Sequence, residues 1–132
     1  MKKVLFLCVG NSCRSQMAEG FARVLGKGII EPSSAGTKPA SSVSTLAIEV
    51  MREKGIDISG QRPKALTADL VESADILISM GCGVEKSCPA IYLEMFEDWA
   101  IEDPYRKPIE EYRIARDKIE EKVQALVRKL EK

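Results

Sequence analysis

The sequence predicts a single α/β domain, a four-stranded parallel sheet with helices on both faces. Short apolar runs that suit strands alternate with segments whose apolar residues recur at helical spacing. Such alternation is typical of a parallel sheet covered on both sides. The chain has 132 residues, 45% of them hydrophobic, which is enough for one core. No linker, repeat or low-complexity tract divides it, so we treat residues 1–132 as one domain.

The first half of the chain predicts two strands and two helices. Lys3–Cys8 is a short apolar strand that a glycine-containing turn follows. Apolar residues at helical spacing predict a helix from Ser15 to about Leu25, with Ser15 as its N-cap. Ile29–Ser33 is the second predicted strand. Val43–Lys54 is the second predicted helix, and Gly55 lies just past its end as a stop signal.

The second half predicts the remaining elements in the same alternating order. Thr67–Ser73 is a short helix that Thr67 caps. Asp75–Met80 is a buried strand, and Ile91–Phe96 is the fourth predicted strand. Ile109–Lys132 is a long, highly charged amphipathic helix whose charges form a solvated face.

Composition excludes several classes of function. Twenty basic and twenty acidic residues cancel, so nucleic acid and anionic membranes are not expected partners. The apolar run at the amino terminus is too short for a secretory signal, and none approaches the roughly 20 residues of a membrane span. We therefore expect a cytoplasmic protein with reduced cysteines. The absence of histidine excludes Ser-His-Asp and Cys-His catalysis and every histidine-bearing metal site. We expect no metal and no bound cofactor.

The most informative segment is Cys8–Ser15, a Cys-x5-Arg-Ser run between the first predicted strand and the first predicted helix. A loop at the amino end of a helix presents free backbone N–H groups and the positive end of the helix dipole. Arg14 suits bidentate binding of two anion oxygens. The same field favours the thiolate of Cys8, and Ser15 is placed to donate to that sulfur. The residues expected to bind an oxyanion are Val9, Gly10, Asn11, Ser12, Cys13 and Arg14.

Attack of a thiolate on a bound oxyanion also needs an acid that protonates the leaving oxygen, and Asp103 is the best candidate. Pro104 stiffens its loop, and Trp99 and Ile101 are expected to shield the carboxyl from water. The Cys-x5-Arg pattern and the Asp-Pro pair each also have a non-catalytic interpretation. A Cys-x5-Arg pattern also describes a buried cysteine near a surface arginine, and Asp-Pro is a common turn. The position of the pattern between a strand and a capped helix favours catalysis.

Together these residues resemble the low-molecular-weight tyrosine phosphatase family, whose members carry the Cys-x5-Arg-Ser loop at the amino terminus and an Asp-Pro acid near the end. The resemblance covers essentially the whole chain and includes Ser33–Thr37. The family has a phosphatase branch and a branch of thioredoxin-coupled arsenate reductases. The reductase branch places two cysteines where this chain has Cys82 and Cys88. The resemblance to that branch is therefore the stronger one.

This resemblance implies reduction of arsenate to arsenite by a three-cysteine relay. The Cys8 thiolate attacks arsenate, and Asp103 protonates the departing hydroxide. Cys82 then attacks Cys8, Cys88 attacks Cys82, and thioredoxin reduces the final disulfide. Phosphate and sulfate are expected competing oxyanions. The alternatives are a phosphatase that hydrolyses phosphate monoesters, with Cys82 and Cys88 incidental, and a sensor that only binds the anion. Cys13 is expected to be a packing residue.

The resemblance also concerns a cation site behind the loop. Some reductases of this type bind potassium through an Asn, a Glu, a Ser and an Asp. Asn11, Glu19 and Ser34 match three of these positions, and the fourth falls near Lys64. An ammonium group at that place substitutes for the metal, so we predict weak or no dependence on potassium.

Overall fold

A computed structural model describes residues 1–80 and 96–131. Within these residues the chain forms four strands and four helices, alternating as the sequence predicts. In chain order they are β1 (Lys2–Cys8), α1 (Arg14–Leu25), β2 (Ile30–Gly36), α2 (Thr45–Arg52), α3 (Ala68–Ser73), β3 (Ile76–Ser79), β4 (Phe96–Asp98) and α4 (Ile109–Leu130). None of the helices in this part of the chain is long and apolar enough to cross a membrane.

The sheet has the strand order β2-β1-β3-β4, and each neighbouring pair is parallel. β1 lies inside the sheet, with the next strand of the chain on one side of it and β3 on the other. Ligands of open parallel sheets bind beyond the carboxyl ends of the strands, at a reversal of strand order of this kind. β1 ends at Cys8, whose register partner in β2 is Gly36. The topology therefore places the Cys-x5-Arg loop at the expected binding edge.

Both faces of the sheet are covered, which confirms the predicted fold class. Val4, Phe6 and Cys8 of β1 belong to a core that contains residues of α1, α2 and α4. Leu5 and Leu7, which alternate with them, belong to a second core beneath α3. Because alternate residues of a strand point to opposite faces, these two cores lie on the two sides of the sheet.

Most predicted boundaries differ from the structure by a few residues. β2 runs on to Gly36, three residues beyond its predicted end, because each of its residues has a register partner in β1. The fourth strand is Phe96–Asp98 and meets the predicted range only at Phe96, since residues 91–95 lie outside the described residues. Gly55 follows α2 with φ of 76°, as expected of a residue that stops a helix.

The two predicted N-caps have different outcomes. Thr67 caps α3, since its hydroxyl accepts a hydrogen bond from the Leu70 N–H at 3.2 Å. The prediction of Ser15 as N-cap of α1 is wrong. That helix begins at Arg14, its N-cap is Cys13, and Ser15 lies within the first turn. The Ser15 hydroxyl is instead hydrogen-bonded within the functional site.

Candidate active site

The anion loop, residues 8–14, joins the end of β1 to the start of α1 and bends back over Cys8. The Asn11 N–H donates to Cys8 Sγ at 3.2 Å. Asn11 has φ of 49°, in the left-handed region, which asparagine adopts more readily than most residues. This conformation turns the Asn11 amide toward the sulfur. A backbone donor thus stabilises negative charge on Cys8.

Three backbone hydrogen bonds fix the outer side of the anion loop. The carbonyl oxygens of Val9, Gly10 and Ser12 accept from the N–H groups of Lys38, Ala40 and Ser44, each at 2.9 Å. These bonds hold the carbonyls away from the centre of the loop. The negative ends of the three peptide dipoles are therefore kept from an anion bound inside.

Two polar side chains complete the surroundings of the Cys8 sulfur. Ser15 Oγ lies 2.9 Å from Cys8 Sγ, and Asn11 Nδ2 donates to the same hydroxyl at 2.7 Å. Cys8, Asn11 and Ser15 are all buried. Since the Asn11 amide occupies an acceptor site of the serine oxygen, the serine hydrogen is available to the sulfur. Ser15 therefore contacts the Cys8 sulfur, as the sequence predicts.

Arg14 is buried at the amino end of α1 and held in one orientation. Its Nη1 donates to the carbonyls of Met80 at 2.9 Å and Ile101 at 2.8 Å. Its Nε is buried and has no hydrogen-bond partner among the described residues. Nη2 lies 3.6 Å from Asp103 Oδ2. The Nε–Nη2 edge is thus the one that suits bidentate binding of an oxyanion.

A cavity of about 230 Å³ opens beside Cys8. Its lining residues are Cys8, Gly10, Ser12, Cys13, Arg14, Ala40, Asp103 and Tyr105. Four of the residues expected to bind an oxyanion therefore line it. The two others serve the loop itself, since the Asn11 N–H donates to Cys8 and the Val9 carbonyl accepts from Lys38.

Asp103 lies at the rim of this cavity, opposite the loop. Its Oδ1 accepts from the Tyr105 N–H at 3.0 Å, and its side chain is 41% exposed. The expectation that Trp99 and Ile101 shield this carboxyl from water is wrong. Both residues are buried in the core, where the Trp99 ring packs against Phe6 with ring centroids 5.7 Å apart. The Asp103 carboxyl is therefore accessible to water as well as to the cavity.

Cys13, the second thiol at the cavity, is held in its neutral form. Burial raises the pKa of Cys13, and burial also raises the pKa of Tyr112 to about 12. The Cys13 thiol donates to the Tyr112 oxygen at 3.7 Å, and Ser44 donates to the same oxygen at 3.3 Å. Cys13 thus connects the anion loop to α4 without adding a charge near Cys8.

The geometry agrees with a comparison of the chain with known protein families. Residues 3–132 match the model of the low molecular weight phosphotyrosine protein phosphatase family. The chain belongs to this family.

Several known proteins are similar to the chain over nearly its whole length. A glutaredoxin arsenate reductase from Synechocystis sp. is 45% identical over 131 residues, 98% of this chain and 99% of that one. A solved arsenate reductase in a phosphate-binding state has a TM-score of 0.88 at 44% identity and covers 98% of this chain and 99% of its own. The YwlE arginine phosphatase from Geobacillus stearothermophilus has a TM-score of 0.91 at 29% identity, over 99% of this chain and 94% of its own.

The two remaining cysteines of the predicted relay, Cys82 and Cys88, lie outside the described residues of this family member. Their roles stay a prediction.

Sequence analysis missed two side chains that the structure connects to the anion loop, Gln16 and Gln61. Gln16 is fully buried and donates to Asn11, and Gln61 donates to Gln16. Gln16 follows Ser15 in the first helical turn, and a buried amide needs hydrogen-bond partners, so its position is a weak indication of a contact with the loop. No pattern in the sequence associates Gln61 with this loop.

Proposed function

We propose that this protein reduces arsenate to arsenite, with Cys8 as nucleophile and Cys82 and Cys88 as the relay that carries the oxidation away. The proposal rests on one combination. A buried cysteine with an arginine fork beside it belongs to a chain that has two further cysteines and is similar over nearly all of its length to proteins named arsenate reductases.

The described residues support the first chemical step. An arsenate bound in the cavity meets the Nε–Nη2 edge of Arg14 and lies within reach of Cys8. The Cys8 thiolate attacks arsenic, a sulfur–arsenic bond forms, and an arsenic–oxygen bond breaks. Asp103 gives its proton to the departing hydroxide, which leaves as water. Arg14 stabilises the charge on the remaining oxygens.

The next step transfers two electrons to arsenic. Cys82 attacks the Cys8 sulfur and a disulfide forms. The sulfur–arsenic bond breaks and leaves its electron pair on arsenic, which departs as arsenite. The two sulfurs lose the electrons that arsenic(V) gains. Cys88 then attacks Cys82, which frees Cys8 as a thiolate and leaves a Cys82–Cys88 disulfide.

A dithiol protein must reduce that disulfide, and we propose thioredoxin. The name of the Synechocystis relative points to glutaredoxin as the competing reductant. Both proteins return the Cys82–Cys88 pair to thiols by disulfide exchange. The two are distinguished by supplying each with its own reductase system.

The decisive measurement is arsenate-dependent oxidation of NADPH with thioredoxin and thioredoxin reductase, repeated with glutaredoxin, glutathione and glutathione reductase. Wild type is expected to turn over with thioredoxin. Cys82→Ser and Cys88→Ser are expected to lose this turnover and to keep hydrolysis of p-nitrophenyl phosphate, which serves as the control for folding. Cys8→Ser is expected to lose both activities.

Three results would contradict parts of this proposal. Turnover with glutaredoxin alone would show that glutaredoxin and not thioredoxin is the reductant, while arsenate reduction would remain the reaction. Full arsenate turnover in Cys82→Ser or Cys88→Ser would remove that cysteine from the relay. Absence of arsenate turnover with either reductant, together with efficient ester hydrolysis, would identify the protein as a phosphatase.

The second candidate is hydrolysis of phosphate monoesters, and it rests on Asp103 and Tyr105. Asp103 is accessible at the cavity rim, where the leaving oxygen of an ester would need a proton. Tyr105 lines the same cavity and is 56% exposed, which gives an aryl group a surface to contact. We expect such hydrolysis as a side activity of the reductase.

A further inference from the structure

A row of three amide side chains, Asn11, Gln16 and Gln61, leads from the anion loop toward the surface. We call it the amide chain. Gln61 Nε2 donates to Gln16 Oε1 at 2.6 Å, and Gln16 Nε2 donates to Asn11 Oδ1 at 3.1 Å. Asn11 Nδ2 donates to Ser15 Oγ at 2.7 Å. Every donor in the row therefore points toward Ser15.

Backbone groups fix this direction at each amide. The Lys64 N–H donates to Asn11 Oδ1 at 2.8 Å, so that atom is the acceptor and Nδ2 faces Ser15. Gln16 Nε2 contacts the carbonyl oxygens of Asn11 and Arg62 at 2.9 and 3.0 Å, so it must be the donor. Since this nitrogen has two hydrogens and three acceptors, one hydrogen is shared between the backbone oxygen and Oδ1 of Asn11. Gln61 Nε2 donates to the Gln16 carbonyl at 3.0 Å. Since a backbone N–H cannot accept and a carbonyl cannot donate, none of the three amides can be reversed.

A cation lies at the outer end of the amide chain, and the Cys8 sulfur lies at its inner end. At the outer end the Arg23 guanidinium donates to Gln61 Oε1 at 2.6 Å. At the inner end Ser15 accepts from Asn11, which leaves its own hydrogen for Cys8 Sγ, 2.9 Å away. The dipoles thus run head to tail from a cation to the nucleophilic sulfur.

We propose that Gln16 and Gln61 are positioning residues that favour the thiolate of Cys8 through Asn11 and Ser15. Hydrogen bonds in a chain polarise one another, so each amide strengthens the donation of the next. A stronger donor at the sulfur favours its charged form. The inference rests on Cys8 as the nucleophile proposed above, but it can be tested without arsenate.

The charged and titratable groups that line the cavity beside Cys8, among the described residues, are Arg14 from α1, Cys13 from the loop, and Asp103 and Tyr105 from the segment after β4. A change in Arg14 or Asp103 alters the charge around the sulfur directly. Gln16 and Gln61 do not titrate and do not line the cavity. Their substitution changes the hydrogen bonds and leaves the charges in place, which makes the effect measurable.

The test is the rate at which iodoacetamide alkylates Cys8, followed by peptide mapping from about pH 5 to 9, the range in which thiols ionise. Gln61→Met keeps a side chain of similar size at a half-buried position and removes the donor to Gln16. The pH profile of Cys8 alkylation in this variant is expected to move to higher pH, with a rate about two- to fourfold lower than in wild type on the acid side. The rate at high pH is expected to stay unchanged, because there the sulfur is ionised in both proteins.

Two further variants separate this role from a purely structural one. Arg62→Met removes an exposed guanidinium that donates to the Ser59 and Gln61 carbonyls, so it perturbs the same segment outside the amide chain. It is expected to leave the profile unchanged. Ser15→Ala breaks the chain at its inner end, and alkylation on the acid side is expected to fall about tenfold.

Gln61→Met is then expected to add nothing in the Ser15→Ala background, because the amide chain no longer reaches the sulfur. Equal profiles for wild type and Gln61→Met would overturn the inference. So would a Gln61→Met shift that persists in the Ser15→Ala background, since the effect would then not pass through Ser15. Absence of arsenate turnover in wild type, together with the expected shift of the alkylation profile in Gln61→Met, would overturn the proposed function and leave this inference standing.

Discussion

The ammonium group of Lys64 lies 3.9 Å from the buried carboxylate of Glu19, directly behind the anion loop. Ser34 donates to the same carboxylate at 2.6 Å, and Arg23 forms an ion pair with it. The predicted arrangement of Glu19, Ser34 and Lys64 is therefore present, with two cations beside one carboxylate. Because these cations already balance the charge, a potassium ion has little to gain here.

The first prediction follows from that balance. Rates of arsenate turnover and of phosphate-ester hydrolysis are expected to be equal in potassium and sodium chloride at matched ionic strength. Thermal unfolding in the two salts is expected to coincide as well. Severalfold activation by potassium would contradict the assignment of Lys64 as the substitute for the metal.

Asp103 is the subject of the second prediction. Asp103→Asn keeps the shape of the side chain and removes its proton, so kcat for ester hydrolysis is expected to fall about 10²- to 10⁴-fold with little change in KM. Glu102→Gln is the matched control, because Glu102 is the neighbouring carboxylate and pairs with Lys107 outside the cavity. A similar loss of kcat in both variants would remove the special role of Asp103.

Gly36 provides the third prediction. A Cβ atom on Gly36 would lie 2.6 Å from the Val9 carbonyl oxygen and 2.9 Å from Asn11 N and Cβ. Gly36→Ala must therefore displace the anion loop, with an expected loss of about 1–3 kcal/mol in the free energy of unfolding. Protection by phosphate against urea unfolding should weaken too. Gly60→Ala, where nothing lies within 4 Å of the added atom, is expected to change neither quantity.

Glu53 sets the fourth prediction, on stability in acid. Its hydrogen bonds with Arg113 and then Arg116 lower the pKa of Glu53 to about 2. A carboxyl with a lowered pKa in the folded state stabilises the protein above its ordinary pKa of 4.5, and this contribution is lost as the pH falls toward 2. Urea unfolding should therefore show a smaller loss of stability between neutral pH and about pH 3 in Glu53→Gln than in wild type. Glu97→Gln, at an exposed position of β4, should behave like wild type.

Sequence periodicity and turn residues were sufficient for the fold and for the central part of the site. Alternating strands and helices predict the parallel sheet, and the Cys-x5-Arg-Ser pattern predicts that Cys8, Arg14 and Ser15 meet at one edge of it. These features depend on neighbours along the chain. The contact between Cys8 and Ser15 spans seven positions, a separation that a loop and the first turn of a helix fix between them.

Long-range contacts account for what the sequence did not predict. Gln61 reaches Gln16 across 45 positions, and Arg14 reaches Ile101 across 87. The sequence predicts Ser15 as a cap because serine suits both an N-cap and a buried hydrogen bond, and only the position of the Cys8 sulfur decides between them. The strand propensity of β2 stops at a serine-rich stretch, yet pairing with β1 extends the strand to Gly36.

The two carbonyl contacts of Arg14 Nη1 have a consequence for selectivity. The guanidinium is oriented by the carbonyl of Met80, just beyond β3, and by the carbonyl of Ile101, in the segment after β4. A tetrahedral anion meets a receptor that folding has already ordered, so capture carries little entropic cost for that side chain. Phosphate, sulfate and arsenate, which share shape and charge, should then be captured with similar ease. Discrimination among them falls to the element at the centre of the anion, since thiols readily reduce arsenic(V) and leave phosphorus(V) unchanged.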